Sequence, residues 1–163
     1  RQKQAVVRGA LAKAAEELFV RNGFEQTTIE QIARAAGVSR RTFFRYFESK
    51  EDVLAHRADQ LGERLYSALA ARPLREPPLV AIRHALVPAV EAGLESRDIL
   101  RCTIRLLRET TSLRQIVMAR QNRLEERVAG LMARRLGVGA RDNTPMLLAF
   151  LTRALIDTAF NAW

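Results

Sequence analysis

The sequence has almost no cysteine, since Cys102 is the only one among 163 residues. A single cysteine excludes an intrachain disulfide framework and a zinc site built on cysteine ligands. We expect Cys102 to be a small buried hydrophobic residue, because only arginines among its sequence neighbours favour a reactive thiolate. Histidine is scarce too, with His56 and His84 as the two examples.

Long apolar runs are also missing. No stretch approaches the roughly 20 apolar residues that a membrane-spanning helix needs, and the charged start of the chain lacks the apolar core of a signal peptide. With 48% hydrophobic and 28% charged residues, the composition is typical of a folded soluble chain. The sequence therefore predicts a cytoplasmic protein without a membrane segment.

Basic residues are in clear excess. The formal net charge is +9 and the pI is about 11.0, which predicts a polyanionic partner. The excess does not locate the binding face, because residues 1–57 carry a net charge of +4 and the remainder carries +5.

The hydrophobic pattern is helical along nearly the whole chain. Apolar residues recur with a period near 3.6, while no convincing alternating strand and no internal repeat is present. We expect Pro88 to kink or split its helix and residues 72–78 to form a linker. The predicted fold class is all-α. Start and stop signals place helices before Gly23 and at Thr28–Gly37, Arg40–Phe47, Lys50 to about Ala71, and roughly 79–93, 97–110, 113–136 and 144 to the end.

Two short predicted helices around Gly37 form a helix-turn-helix pattern. Gly37 allows the tight turn, Val38 fills the angle between the helices, and Ser39 caps the second helix. Phe43 and Phe47 then face inward with Ile32 and Leu18. This arrangement directs the remaining side chains of the second helix outward, namely Arg40, Arg41, Arg45, Phe44 and Tyr46.

Such a helix suits the major groove of DNA, which is read by the N-terminal residues of an inserted helix. An arginine there can bind guanine through two acceptors, and hydroxyls, lysines and helix N-termini bind phosphates. No acidic residue lies between Val38 and Phe47. The alternative is an ordinary solvated basic face, which leaves the capped turn and the clustered hydroxyls unexplained.

The same stretch resembles the N-terminal signature of the tetracycline-repressor (TetR) family over about residues 8–55. The resemblance implies a homodimer whose paired helix-turn-helix heads bind a pseudo-palindromic operator. It also implies a C-terminal domain that holds a small effector and dimerises through its last two long helices. The matching residues are Gly23, Thr27, Thr28, Ile32, Ala33, Ala36, Gly37, Val38, Ser39, Thr42, Phe47, Ser49 and Lys50.

By position, the resemblance implies that Arg40 and Arg41 read bases, with Arg45 beside them or on phosphate. The resemblance also implies that the DNA phosphate backbone is contacted by Thr28, Ser39, Thr42, Tyr46 and Lys50. Three positions depart from the common pattern, namely Arg41, Phe44 and Glu48, and they leave the operator sequence undetermined. The implied division is a three-helix, homeodomain-like head over residues 1–48 and an effector-binding and dimerisation bundle over 49–163, with 49–71 as the connecting helix.

The second part of the chain carries no catalytic signature. Residues 75–163 contain no metal-ligand cluster, phosphate-binding glycine loop or nucleophile–base pair, so we predict no metal, no cofactor and no enzymatic activity. An effector is expected to contact apolar residues, with Arg101 and Arg105 as an anion site in a minor hypothesis. His56 is expected to be packed or solvated. The candidate effector residues are Leu61, Leu65, Leu86, Val90, Arg101, Arg105, Leu106, Phe150 and Leu155.

Three functions remain open on the sequence alone. A ligand-responsive DNA-binding repressor fits best. A DNA-binding activator or architectural protein without an effector is the second, and it predicts no release from DNA by a small molecule. A helical enzyme is a distant third.

Overall fold

The computed structural model describes the backbone of residues 2–94 and 97–161. Within these ranges all regular structure is α-helical, which confirms the predicted fold class. The helices of the described residues are α1 (Gln2–Asn22), α2 (Ile29–Ala35), α3 (Arg40–Tyr46), α4 (Lys50–Ala70), α5 (Pro78–Leu94), α6 (Arg97–Glu109), α7 (Thr111–Leu136) and α8 (Thr144–Asn161).

The helix ends differ from the predicted ones by small amounts with local causes. Helix α3 ends one residue early because Phe47 already has extended backbone, with φ −141° and ψ 137°. Pro88 lies inside α5 without splitting it. The last helix begins at Thr144 as the sequence predicts, and the Thr144 N–H donates to Asp142 Oδ1 at 2.8 Å.

The chain packs as two compact units. The first unit contains Arg1–Ala58 and Arg97–Val117, and the second contains Asp59–Ser96 and Met118–Trp163. These units are defined by packing rather than by chain order, because α6 contacts α1 and so belongs to the first unit. The division predicted at residue 49 concerns functional parts of the chain and stays a prediction.

The core of the first unit is built from the apolar faces of α1 to α4 together with α6 and the start of α7. The four side chains predicted to face inward, Leu18, Ile32, Phe43 and Phe47, are all buried, which confirms that part of the prediction. Leucines and isoleucines of α6 and α7 complete this core. Its largest members include Leu11, Phe19, Ile32, Phe43, Phe47, Leu54, Ile99, Leu106 and Leu113.

Cys102 and His56 are packed residues of the first unit. Cys102 is partly buried against its core. Burial raises the pKa of the Cys102 thiol, and the nearby Arg105 guanidinium opposes this rise. The His56 ring meets the Phe47 ring edge-on at 5.5 Å. Both placements agree with the packing roles expected from the sequence.

The core of the second unit joins α4, α5, α7 and α8. Its buried members include Leu65, Leu69, Ala81, Ile82, Val128, Met132 and Ala149. The segment predicted as a linker, residues 72–78, is anchored by Arg135 of α7. Arg135 donates to the Glu76 carbonyl at 3.1 Å and to the Arg72 carbonyl at 3.3 Å, and it also bonds the Pro73 carbonyl.

Glu76 makes the stability of the second unit depend on pH. Arg72 Nε donates to Glu76 Oε2 at 2.7 Å, and His84 Nδ1 lies 2.9 Å from Oε1. The hydrogen bond from Arg72, helped by His84, lowers the pKa of Glu76 from 4.5 to about 2. A carboxylate with a lowered folded-state pKa stabilises the fold above its unfolded pKa and loses this contribution as the pH falls through the folded pKa.

We therefore expect the free energy of unfolding of the wild type to exceed that of Glu76→Gln at pH 6, and the difference to shrink between about pH 4.5 and 2. Urea unfolding over a pH series measures this. Glu126→Gln, which changes an exposed carboxylate of α7, is the matched control and should show no such convergence. A difference between wild type and Glu76→Gln that stays constant with pH would contradict the assignment.

Gly37 and Gly130 should respond in opposite ways to alanine. Gly37 has φ +68°, and a Cβ there would meet no atom within 4 Å, so the penalty comes from the backbone alone. We expect Gly37→Ala to lower the free energy of unfolding by about 1–2 kcal/mol. Gly130 lies within α7, and a Cβ there would also meet no atom within 4 Å. Gly130→Ala should therefore raise the free energy of unfolding by about 0.5–1 kcal/mol. Thermal unfolding compares the two, and a stabilised Gly37→Ala would contradict the role of the turn.

Candidate nucleic-acid interface

The turn between α2 and α3 is held by hydrogen bonds that its residue types dictate. Thr28 and Gln31 form a capping box at the start of α2. The Gly37 N–H donates to the Arg34 carbonyl at 3.0 Å and the Val38 N–H donates to the Ala33 carbonyl at 2.9 Å. These bonds close the helix end around a left-handed glycine. The predicted capped turn is therefore present.

Helix α3 is capped by Ser39 and anchored by two phenylalanines. The Thr42 N–H donates to Ser39 Oγ at 3.1 Å. Phe43 is 0% exposed and Phe47 is 1% exposed, and their ring centroids lie 5.8 Å apart. Because the inward side of α3 is fixed, its opposite side faces solvent, and Arg40, Arg41, Phe44 and Arg45 are all exposed there.

Arg40 has two neighbours that orient its guanidinium. Its Nη1 lies 3.1 Å from Glu30 Oε1 on α2. The guanidinium carbon also lies over the Phe44 ring, 5.5 Å from the centroid. Sequence reasoning missed the Glu30 contact, because the two residues are brought together only by the angle of the turn.

Arg45 pairs with the neighbouring tyrosine, and Arg41 differs from both other arginines. Arg45 Nη2 donates to the Tyr46 hydroxyl at 3.3 Å, and its guanidinium carbon lies 5.1 Å from the Tyr46 ring centroid. Arg41 is exposed, and among the described residues it has no hydrogen-bond or ion-pair partner. Arg41 can thus reach an incoming ligand without breaking an internal contact.

Three of the hydroxyls predicted to meet phosphate, those of Thr28, Ser39 and Thr42, lie beside helix N-termini. Tyr46 instead ends α3 and packs partly against the core of the first unit. Thr28 Oγ1 accepts from the Gln31 N–H at 3.2 Å, and Ser39 Oγ lies 2.9 Å from Thr42 Oγ1. Thr28 Oγ1 accepts from a backbone N–H and so keeps its own O–H for a phosphate oxygen. Of Ser39 and Thr42, one hydroxyl donates to the other, so one O–H of that pair stays available. The positive end of each helix favours the same anion.

Lys50 has an internal contact that the sequence did not predict. Its Nζ donates to the Phe24 carbonyl at 2.8 Å and lies 4.6 Å from the Phe24 ring centroid. The lysine therefore ties the start of α4 to the segment that follows α1. An ammonium has three N–H donors, so the predicted phosphate contact stays a prediction beside this structural one.

Comparisons with known proteins identify the family. The profile described as "Bacterial regulatory proteins, tetR family" matches residues 11–56, and that of the "MftR C-terminal domain" matches residues 76–163. The transcriptional regulator TcmR of Streptomyces glaucescens is 35% identical, over 96% of this chain and 72% of its own. MftR of Mycobacterium tuberculosis is 33% identical, over 94% of this chain and 77% of its own.

The chain belongs to the TetR family. Its fold agrees with the crystal structure of NalD, described as the secondary repressor of the MexAB-OprM multidrug efflux pump in Pseudomonas aeruginosa. The two share 29% identity with a TM-score of 0.64, over 99% of this chain and 85% of NalD. The protein is accordingly a DNA-binding transcriptional regulator, and the resemblance found in the sequence is confirmed. Because the relatives are transcriptional regulators, the prediction that the chain is not an enzyme is confirmed as well.

In this TetR-family chain, the candidate effector residues lie in several different environments. Leu65 is buried in the core of the second unit, and Leu86 packs against that core. Leu106 instead belongs to the core of the first unit. Arg101 and Arg105 are exposed on α6, as are Phe150 and Leu155 on α8. Leu61 and Val90 are half-buried. Of the nine candidates, therefore, only Leu65 and Leu86 share one cluster.

Metal sites and membrane-spanning helices are both absent from the described residues. No group of three or more histidine, cysteine, aspartate or glutamate side chains in the described part of the chain is arranged to hold a metal ion. None of the described helices has the length and apolar character needed to cross a membrane.

Proposed function

We propose that this TetR-family regulator binds a pseudo-palindromic operator as a homodimer and is released from it by a small-molecule effector. The observation that carries the proposal is the outward face of α3, where Arg40, Arg41 and Arg45 stand over a buried pair of phenylalanines. Arg40 and Arg41 read bases. Arg45 reads bases or binds phosphate, and the hydroxyls of Thr28, Ser39, Thr42 and Tyr46 hold the backbone together with Lys50.

The exposed side of α8 supports the homodimer. Leu147 is 63% exposed, Phe150 is 50% exposed, Leu151 is 42% exposed and Leu155 is 44% exposed. Their spacing of three to four residues places them along one side of the helix. A contiguous exposed apolar stripe favours contact with another protein surface, and a second copy of α8 offers the same stripe in return.

The dimer is tested by sedimentation of Leu151→Arg. We expect this variant to shift towards monomer and to lose affinity for an operator with two half-sites. Leu74→Arg is the matched control, because Leu74 is 67% exposed and belongs to the segment between α4 and α5 rather than to α8. A Leu151→Arg variant that remains dimeric would exclude α8 as the interface.

Effector release is proposed as a shift between two spacings of the paired heads. The competent spacing is about one turn of DNA, roughly 34 Å, and an effector that binds the other state better lowers operator affinity. The proposed hinge lies between His56 and Leu65, and a division between compact units falls after Ala58, inside this stretch. The C-terminal part, residues 49–163, would hold the effector, and the protein would act in the cytoplasm, where it has access to DNA.

Selection of genomic fragments, repeated over a salt series, tests DNA recognition. A specific operator should be enriched, and log K should fall against log salt with a slope of about −0.9 per phosphate neutralised. Failure to enrich any sequence would refute the operator proposal. Adding small molecules to the bound operator separates the alternatives, since a regulator without an effector shows no release. NalD is described as a repressor, which supports repression over activation.

A further inference from the structure

Glu30 is an acidic residue within the basic surface proposed to face DNA. It lies in the first turn of α2, and its Oε1 is 3.1 Å from Arg40 Nη1. Both side chains are more than half exposed, at 56% for Glu30 and 63% for Arg40. The pair is therefore formed at the surface and is accessible to a nucleic acid.

The contact holds Arg40 between two helices. On one side is the Glu30 carboxylate of α2, and on the other is the Phe44 ring of α3, 5.5 Å from the guanidinium carbon. Phe44 is itself held by the Phe43 ring, whose centroid lies 5.6 Å away at an interplanar angle of 87°. Phe43 is fully buried, so the support of Arg40 extends into the core of the first unit.

The three outward arginines of α3 differ in their partners. Among the described residues, Arg40 is the member of this set with an acidic partner, whereas Arg45 pairs with the Tyr46 hydroxyl. The charge of Arg40 is partly neutralised before DNA arrives. A phosphate in a nonspecific complex must compete with Glu30 for the guanidinium, while also being repelled by the carboxylate.

The Glu30 carboxylate opposes binding of Arg40 to a guanine edge less than it opposes binding of Arg40 to a phosphate. The guanidinium carries five N–H donors in a fixed plane, so Arg40 can bind guanine with donors that the Glu30 contact does not use. The orientation that Glu30 and Phe44 impose also reduces the side-chain entropy lost on base contact. The same carboxylate therefore weakens nonspecific binding more than it weakens operator binding.

We propose that Glu30 is a positioning residue that raises the sequence specificity of the regulator through Arg40. This inference rests on the proposed role of α3 in base readout. It assigns to α2 a part in discrimination that does not require a base contact of its own. The ligand concerned is double-stranded DNA, and the measurable quantity is the ratio of operator affinity to nonspecific affinity.

The test compares Glu30→Gln with wild type on the selected operator and on a duplex of unrelated sequence. For each head of the dimer, we expect nonspecific affinity to rise about two- to fivefold through the loss of one exposed ion pair. The nonspecific salt slope should steepen by about 0.9 per head as Arg40 becomes available to a phosphate. Operator affinity should change less, so that the ratio falls. An unchanged ratio and an unchanged slope would overturn the proposal.

Glu48→Gln is the matched control, because Glu48 is an exposed acidic residue of the same head. Its substitution by glutamine removes the same charge as Glu30→Gln. Equal changes in the two variants would show a general charge effect and would overturn the role of Glu30. In an Arg40→Ala background, Glu30→Gln should no longer alter the ratio of operator affinity to nonspecific affinity. A full effect of Glu30→Gln in that background would also refute the role of Glu30. Failure of the proposed function looks different, since the wild type would then show no operator preference.

Discussion

The double substitution Arg40→Ala and Arg41→Ala is expected to abolish operator recognition while leaving weak nonspecific DNA binding. Each well-formed arginine–guanine pair contributes about 1–3 kcal/mol of discrimination. Two pairs correspond to about 2–6 kcal/mol for each head, or a loss of roughly 30-fold to more than 10,000-fold in specific affinity per half-site. Titration of the labelled operator, with an unrelated duplex for comparison, measures both affinities.

The fold should survive this change. Both arginines are exposed, and the cap of α3 depends on Ser39 and Thr42 rather than on either guanidinium. A variant lacking Arg83 and Arg134, which are exposed residues of the second unit, removes the same two charges and is the matched control. If the two double variants lose operator affinity equally, the effect is one of net charge. If operator binding persists without Arg40 and Arg41, α3 does not read bases in the proposed way.

The second large effect concerns the adjacent phenylalanines of α3. Phe43 is 0% exposed, whereas Phe44 is 45% exposed. We expect Phe43→Ala to lower the free energy of unfolding by about 3–5 kcal/mol, because it opens a cavity in the core of the first unit. Phe44→Ala should cost about 1 kcal/mol or less, mainly through the lost ring contact.

Urea unfolding followed by circular dichroism compares these two variants, which differ only in the position of the same truncation. DNA binding adds a second readout. Phe43→Ala should lose operator affinity together with folded protein, whereas Phe44→Ala should remain folded and change operator affinity through the support of Arg40. Equal destabilisation by the two substitutions would mean that α3 does not present the side described here.

Local signals in the sequence were sufficient to predict the capped turn and the outward side of α3 in the head of the protein. Gly37, Ser39 and the Thr28–Gln31 pair act within three or four residues of their own positions, so their hydrogen bonds follow from residue type. The inward placement of Phe43 and Phe47 follows from helical periodicity in the same way. These local rules were enough to predict which side of α3 is exposed.

Contacts between distant residues could not be read from such patterns. Lys50 bonds the Phe24 carbonyl across 26 positions, and Arg135 anchors residues 72–76 across about 60 positions. Neither residue differs in sequence context from an ordinary solvated cation. Their roles depend on how helices pack, which periodicity does not encode.

The assignment of α6 shows the same limit. The sequence predicted its helix, and Leu106 was counted among the candidate effector contacts. The structure packs Leu106 into the core of the first unit, beside residues of the head. An apolar helix face predicts burial but does not name the neighbouring element, because many partners satisfy the same hydrophobic requirement.

The sequence by itself determined the helices, the capped turn, the TetR-family resemblance and the outward arginines, since each depends on short-range bonding and side-chain spacing. Only the tertiary structure decided that Glu30 pairs with Arg40, that Lys50 bonds the backbone near Phe24, and that α6 joins the first unit. The physical reason is that these contacts arise from the angles at which helices pack, and those angles are set by the whole core of a unit rather than by any single stretch of chain.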